Sequence, residues 1–165
     1  MKVLGLAGWS GAGKTTLMVR LIPVLTARGL RVSTVKHAHH RFDVDTPGKD
    51  SHRHREAGAT EVMVASANRF ALMHELHGAP EPSLDDLLSR MSPVDLVLVE
   101  GFKREEHAKI EIHRAANGKP FLFPDDAAIV AVASDAAPDT GGRPLIPLDD
   151  VDAIADFASD FARAA

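Results

Sequence analysis

The sequence contains no cysteine and no tyrosine, and only 5% of its residues are aromatic, with Trp9 as the single tryptophan. Without cysteine the chain has neither disulfide bonds nor thiolate metal ligands, which is consistent with a reducing compartment such as the cytoplasm. Acidic residues outnumber basic residues by 23 to 19, so the chain lacks the positive charge that favours nucleic acid or an anionic membrane surface. We therefore expect a cytoplasmic protein that binds neither of them.

Long apolar runs are also missing. Charged or polar residues interrupt every hydrophobic stretch before it reaches the roughly 18 to 20 residues that a membrane span requires. The short apolar run after Lys2 is broken by Gly5 and Gly8, and no small-residue cleavage site follows it, so it does not resemble a signal peptide. With 165 residues, 45% of them hydrophobic, the chain is expected to be soluble and to form a single domain over residues 1–165.

Short extended runs alternate with segments that carry one apolar helical face. A strand is predicted over residues 2–7, a helix over 14–28 that Pro23 is expected to kink, and a second strand over 31–36. This spacing is typical of a right-handed parallel crossover and therefore of an α/β fold. Further strands are predicted over 61–66, 70–74, 95–99, 109–113 and 128–133, and helices over 83–91 and 151–163. The turn at 116–120 predicts a projecting β-hairpin suited to pairing with a second subunit.

The strongest motif lies between the first predicted strand and the first predicted helix. Residues 8–15 read Gly-Trp-Ser-Gly-Ala-Gly-Lys-Thr and match the Walker A pattern G-x-x-x-x-G-K-[ST]. In this motif backbone N–H groups wrap around phosphates, Lys14 reaches the β- and γ-phosphates, and Thr15 ligates Mg²⁺. The motif predicts a mostly parallel sheet of the P-loop NTPase type, flanked by helices. The predicted phosphate-binding residues are Gly8, Gly11, Ala12, Gly13, Lys14, Thr15 and Thr16, with Lys14 also acting in catalysis.

A second motif is the apolar strand over 95–99, which has an acid at each end. Ligands in parallel sheets collect at the carboxyl ends of the strands, and about 3.3 Å per residue places Asp95 roughly 16 Å from Glu100. Glu100 is therefore the predicted acid beside Mg²⁺, with a catalytic role, and Asp95 is expected at the far edge of the sheet.

A long polar loop follows the second predicted strand, at the place where many P-loop proteins hold a switch segment that senses the γ-phosphate. Asp43, Asp45 and Asp50 are all candidates to approach Mg²⁺ or to orient the attacking water. Asp45 is the one we assign to the metal and to catalysis.

Histidines are concentrated beside these acids, at positions 37, 39, 40, 52 and 54. One alternative function is therefore a metallochaperone GTPase that uses these histidines as ligands. The interleaved cations Lys36, Arg41, Lys49, Arg53 and Arg55 would repel a metal ion and favour a phosphorylated, anionic ligand. A second alternative is a small-molecule kinase that transfers the γ-phosphate to an acceptor held by this loop.

A final candidate follows the predicted strand at 128–133. Guanine-specific P-loop proteins place an acid after a late strand, where it accepts the N1–H and N2–H donors of the base. Asp135 occupies such a position, although Ala133-Ser134-Asp135 lacks the lysine of the usual signature. We therefore predict that Asp135 selects guanine.

Taken together, these motifs resemble those of the molybdopterin-guanine dinucleotide biosynthesis protein B family. The matching segments are 8–16, Lys36-His37 with His39-His40, 43–51, Arg53, 57–59 and 99–103. The block Pro-Gly-Lys-Asp-Ser at 47–51, combined with Glu-Gly-Phe-Lys at 100–103, is far more selective than a Walker A loop alone. The resemblance implies GTP and Mg²⁺ binding, slow GTP hydrolysis, and homodimerisation. It also implies molybdopterin or its guanine dinucleotide as a ligand, and partnership with the guanylyltransferase that joins GMP to molybdopterin.

Overall fold

The structure is a computed structural model that describes residues 1–38 and 42–164. Predictions that concern His39, His40 and Arg41 lie outside the described residues. The chain divides into two compact units, which are considered separately below: residues 1–37 with 91–165, and residues 38–90. None of the helices in the described ranges is long and apolar enough to cross a membrane.

The first unit is built on one parallel sheet. In chain order the strands of the protein are β1 (Lys2–Ala7), β2 (Val32–Lys36), β3 (Glu61–Ala65), β4 (Phe70–His74), β5 (Leu96–Glu100), β6 (Lys109–His113), β7 (Ile129–Ser134) and β8 (Leu145–Pro147). Six of them form the sheet of the first unit in the order β2-β5-β1-β6-β7-β8, and every pair is parallel. The carboxyl ends of all six strands therefore lie at the same edge of the sheet, as the P-loop NTPase type requires.

The helices are α1 (Lys14–Ala27), α2 (Asp50–Glu56), α3 (Leu84–Ser89) and α4 (Val151–Arg163). Two of them, α1 and α4, pack against each other and cover one face of the six-stranded sheet. Alternate strand residues such as Leu4, Leu98 and Ile112 are fully buried beneath them, because successive side chains of a strand point to opposite faces. The apolar face predicted for 151–163 is confirmed, and α1 continues through Pro23.

On the other face of the sheet, irregular chain at residues 121–123, here named the covering segment, packs against Ala7, Ile129 and Val132. The polar residues of β6, Lys109, Glu111 and His113, alternate with apolar ones, and all three are buried on this face. The Glu111 carboxylate accepts the backbone N–H groups of Leu122 at 2.7 Å and Phe123 at 2.9 Å. Polar side chains thus anchor the covering segment by satisfying its backbone.

The prediction of a hairpin at 116–120 is wrong. β6 and β7 pair in parallel, so no hairpin can join them, and Ala115–Asn117 forms a 3₁₀ helix. An antiparallel hairpin lies instead in the second unit, where β3 pairs with β4. The sequence predicts these two strands, at 61–66 and 70–74, but not their pairing. The glycine turn at 118 suggested a hairpin, but it serves to end the 3₁₀ helix with a left-handed residue.

Candidate functional site

The Walker A segment forms the connection between β1 and α1. Gly8 has a φ of 147° and packs so closely on β6 that a β-carbon would collide with the carbonyl oxygen of Ile112. Gly13 precedes α1 without a side-chain cap, which leaves the amides of the first helical turn directed into the loop. The Lys14 ammonium donates to the carbonyl oxygens of Gly8 at 2.9 Å and Trp9 at 3.0 Å. Such a helix N-terminus is suited to binding an anion.

The loop encloses a cleft of about 330 Å³. The residues that line it are Ser10, Gly11, Gly13, Lys14, Thr15, Thr16 and Glu100. Five of the seven predicted phosphate-binding residues therefore reach the cleft. The other two shape the loop from behind, since Gly8 rests on β6 and Ala12 is 1% exposed.

Glu100 lies beside the cleft because β5 is the neighbour of β1 in the sheet. The Thr15 hydroxyl donates to Oε1 of Glu100 at 2.9 Å, and the Lys36 ammonium lies 3.8 Å from Oε2. Asp95 lies at the opposite end of β5, where its carboxylate accepts the backbone N–H of Arg31 at 2.7 Å. Glu100 and Asp95 therefore lie at opposite ends of β5, as the strand length predicts.

The donors at this point fit a hydrated Mg²⁺, because that ion prefers oxygen ligands and is usually held by one or two of them from the protein. The Thr15 hydroxyl and the Glu100 carboxylate are the residues that would hold it. Burial lowers the pKa of Lys14, the Glu100 carboxylate opposes this effect, and the ammonium groups of Lys103 and Lys36 lower the pKa further. The interacting ammonium groups of Lys14, Lys36 and Lys103 exceed the single Glu100 carboxylate in charge, which favours a polyanionic ligand.

The turn after β5 brings the run Glu100-Gly101-Phe102 against Lys36-His37 at the end of β2. Gly101 has a φ of 100°, and a β-carbon there would stand 2.6 Å from Cβ of His37. Phe102 also has a positive φ, 48°, and its ring lies 4.9 Å from the His37 ring. Only glycine fits this approach, so the turn holds the ends of β2 and β5 together beside Glu100.

Asp45 belongs to the second unit. Its carboxylate accepts two hydrogen bonds from Arg55, from Nη2 at 3.0 Å and from Nε at 3.3 Å, while Asp43 takes a third at 2.7 Å. The hydrogen bonds from Arg55 lower the pKa of Asp45. Asp50 is the first residue of α2. The assignment of Asp45 to Mg²⁺ and catalysis stays a prediction.

The described histidines of the second unit do not converge on a common metal position. His52 lies 3.5 Å from Glu56 on the same helix, α2. Among the described residues no group of three or more His, Asp or Glu side chains is arranged to hold a metal ion.

Asp135 follows β7 at the edge that carries the Walker A loop, with β6 between β7 and β1. Its carboxylate accepts the backbone N–H of Ala115 at 2.7 Å, and Nη1 of Arg114 lies 3.8 Å from it. The side chain is 31% exposed, so a ligand at this edge has access to it. Its contact with a guanine base stays a prediction.

The segment Arg114–Pro120, here named the β6–β7 segment, was not recognised from the sequence as part of this site. The Trp9 indole N–H donates to the Pro120 carbonyl at 2.8 Å, and the Asn117 amide donates to the Ser10 carbonyl at 3.3 Å. The bulky Trp9 inside a glycine-rich loop was the only sequence signal of this contact. The two hydrogen bonds join Trp9 and Ser10 of the Walker A loop to the β6–β7 segment.

Comparison with known proteins gives a consistent result. The family model for molybdopterin guanine dinucleotide synthesis protein B matches residues 3–135. The chain is 48% identical over 164 residues to the molybdopterin-guanine dinucleotide biosynthesis adapter protein of Escherichia coli (strain K12), covering 98% of this chain and 93% of that protein. The adapter protein of the same name from Haemophilus influenzae is 45% identical over 162 residues, covering 96% of this chain and 88% of that protein.

A crystal structure of molybdopterin-guanine biosynthesis protein B matches the fold with a TM-score of 0.79 and 32% identity, covering 98% of this chain and 99% of that chain. The family match spans most of the chain, including the Walker A loop, the turn after β5 and Asp135. The chain belongs to the molybdopterin guanine dinucleotide synthesis protein B family.

Proposed function

We propose that the protein binds Mg²⁺ and GTP, hydrolyses GTP slowly, and acts in the cytoplasm as an adapter in the assembly of the guanine dinucleotide form of the molybdenum cofactor. The observation that carries this proposal is the 2.9 Å hydrogen bond between Thr15 and Glu100 at the mouth of a cleft lined by the Walker A loop. The relatives named as adapter proteins of molybdopterin-guanine dinucleotide biosynthesis support the biological role.

Each group at the cleft has a distinct task in this proposal. The Lys14 ammonium binds the β- and γ-phosphates, and loop amides hold the remaining phosphate oxygens. Thr15 and Glu100 hold Mg²⁺, which neutralises charge on the phosphates when it is bound. Asp45 is the proposed second acid at the metal, and it would exchange its hydrogen bonds with Arg55 for the metal. Slow turnover is consistent with an acid that must first release its hydrogen bonds with Arg55.

Base selection is proposed to depend on Asp135. A carboxylate accepts both N1–H and N2–H of guanine, whereas adenine presents no such pair of donors. The hydrogen bond from Ala115 N–H occupies Oδ1, and the partly exposed carboxylate keeps further acceptor capacity. We therefore expect the protein to prefer GTP over ATP.

The guanylyltransferase that joins GMP to molybdopterin is the proposed protein partner, with molybdopterin or its guanine dinucleotide as the pathway ligand. The described cations Lys49, directly before α2, and Arg53, on α2, favour an anionic ligand of this kind over a metal ion. No described contact favours the kinase or the metallochaperone alternative.

Self-association is proposed to use the β3–β4 hairpin. Met63 stands opposite Leu72 in the register of the hairpin. Phe70 lies two residues before Leu72 on β4 and therefore on the same face. These side chains are 62%, 49% and 70% exposed. A contiguous exposed apolar strip of this kind marks an interaction surface, and a homodimer would bury it.

The adapter role is tested by reconstituting synthesis of molybdopterin guanine dinucleotide from purified guanylyltransferase, molybdopterin and Mg²⁺–GTP. Adding the parent protein is expected to increase product formation, and adding Lys14→Ala is expected to have no effect because the phosphate-binding charge is lost. Lys2→Ala is the matched control, since Lys2 lies at the opposite end of β1 from the loop.

The control variant is expected to match the parent. Equal stimulation by the parent and by Lys14→Ala would separate any adapter role from nucleotide binding and contradict the proposal. Absence of stimulation by the parent at any protein concentration would also contradict the proposal.

A further inference from the structure

Arg114 is a charged residue near the cleft to which no role has been given above. It directly follows β6, the strand that lies between β1 and β7, so it emerges between the Walker A loop and Asp135. Its Nη2 lies 3.9 Å from the position that a β-carbon on Gly13 would occupy. The guanidinium is therefore beside the loop backbone at the point where α1 begins.

The backbone that carries Arg114 is held at several points. Ala115 N–H donates to the Asp135 carboxylate at 2.7 Å, directly after Arg114. Farther along the β6–β7 segment, Asn117 and Pro120 are bonded to the Walker A loop through Ser10 and Trp9. Directly before it, His113 is buried and bonds Ser134 at 3.1 Å. The guanidinium is thus presented from a fixed backbone, which reduces the ordering cost of a ligand contact.

The side chain of Arg114, in contrast, is loosely paired. Its guanidinium lies 3.8 Å from a carboxylate oxygen of Asp135 and 3.8 Å from one of Asp149, and the side chain is 39% exposed. These distances are longer than hydrogen bonds, and exposed ion pairs of this kind contribute little. A phosphate group that offered two oxygens to the planar guanidinium would compete effectively with both carboxylates.

We propose that Arg114 binds a phosphate group of the nucleotide at the Walker A loop. Contact with phosphate moves its charge away from Asp135, whose carboxylate is then available to guanine. Phosphate binding and base recognition are thereby linked through one side chain. The inference rests on the proposed nucleotide binding and adds a phosphate-binding residue that the Walker A pattern does not contain.

The test measures binding of GTP, GDP and inorganic tripolyphosphate to Arg114→Ala and Arg114→Lys. Binding is followed by the fluorescence of Trp9, the single tryptophan of the chain, which belongs to the loop. Arg114→Ala is expected to weaken all three ligands roughly ten- to hundredfold, because a charge-assisted hydrogen bond pair is lost. Arg114→Lys is expected to recover part of the loss, since it restores the charge without the bidentate geometry.

Arg31→Ala is the matched control. Arg31 also forms an exposed pair with an aspartate, Asp95 at 3.3 Å, but at the amino end of the strands, so its loss changes net charge without touching the loop. Parent-like affinity is expected for this variant. Circular dichroism and thermal unfolding establish that each variant is folded, and Arg114→Gln serves for the same measurements if the alanine variant does not fold.

Two results would overturn the inference. Parent-like GTP affinity in a folded Arg114→Ala or Arg114→Gln variant would show that the guanidinium does not bind the nucleotide. Weaker GTP binding with unchanged tripolyphosphate binding would show that Arg114 acts only through the base acceptor Asp135. A parent protein that binds neither GTP nor tripolyphosphate would contradict the proposed function itself, and this outcome is distinct from the other two.

Discussion

His107 is a residue whose ionisation is linked to folding. Both ring nitrogens are buried and have no hydrogen-bond partner among the described residues. The ring packs on Gly5, where a β-carbon would stand 2.5 Å from Nε2, so a larger residue on β1 at this point would displace the ring. Burial lowers the pKa of His107, the Lys109 ammonium lowers it further, and the Asp126 carboxylate opposes both.

The lowered pKa predicts a stability change in mild acid. Between the ordinary histidine pKa of about 6.5 and the lower folded value, the unfolded chain binds more protons than the folded chain. The free energy of unfolding is therefore expected to fall as the pH drops from 7 through 6.5 towards 5. Urea unfolding at a series of pH values measures this slope, and His107→Gln, which does not titrate, is expected to reduce it.

The control variant for this experiment is His77→Gln, which removes an exposed histidine of the second unit. It is expected to leave the pH slope unchanged. If His107→Gln had the same slope as the parent between pH 7 and 5, burial of a neutral His107 would not be a source of pH dependence.

Among the structural elements, β6 has the largest influence on the site, because it presents anchoring side chains along one face and continues into the β6–β7 segment. Glu111 is fully buried and satisfies the N–H groups of Leu122 and Phe123. These bonds fix the covering segment, whose Phe121 ring stacks on His113 at 3.7 Å. Thus the same strand positions both the covering segment and Arg114.

The role of β6 predicts a large effect of Glu111→Ala. Two buried backbone donors would lose their acceptor, which is expected to lower the free energy of unfolding by about 2 to 4 kcal/mol. Glu111→Gln is expected to cost less, because the amide oxygen still accepts one bond. Urea unfolding measures both, with the exposed Glu106→Ala as the control. A loss below about 0.5 kcal/mol in Glu111→Ala would contradict this role.

Elements determined by short-range patterns were predictable, and those determined by distant contacts were not. The Walker A loop, the strand at 109–113 and the helix at 151–163 follow from local spacing and agree with the structure. The three-residue β8 carries too short a pattern to detect, and Pro147 argues against a strand. The burial of Glu111 and the contact of Trp9 with Pro120 depend on pairs 11 and 111 residues apart. No local pattern reveals such contacts.

At the scale of the whole molecule, the exposed face of the β3–β4 hairpin predicts self-association. Phe70→Ser and Met63→Ser replace exposed apolar side chains, so neither is expected to destabilise the chain, but each is expected to weaken a dimer. Sedimentation velocity over a concentration series measures the change. Val19→Ser is the control, because Val19 is an equally exposed apolar residue, 67%, on α1. A monomeric parent, or a dimer unaffected by both hairpin variants, would contradict this assignment.

The proposed function depends on binding of Mg²⁺ and GTP by this chain. The most direct measurement is a calorimetric titration of the purified protein with GTP, with and without Mg²⁺, beside the same titration with ATP. We predict one GTP site per chain that is tightened by Mg²⁺ and weaker binding of ATP. Absence of GTP binding under both conditions would contradict the central claim, and equal affinity for ATP would contradict the selection of guanine by Asp135.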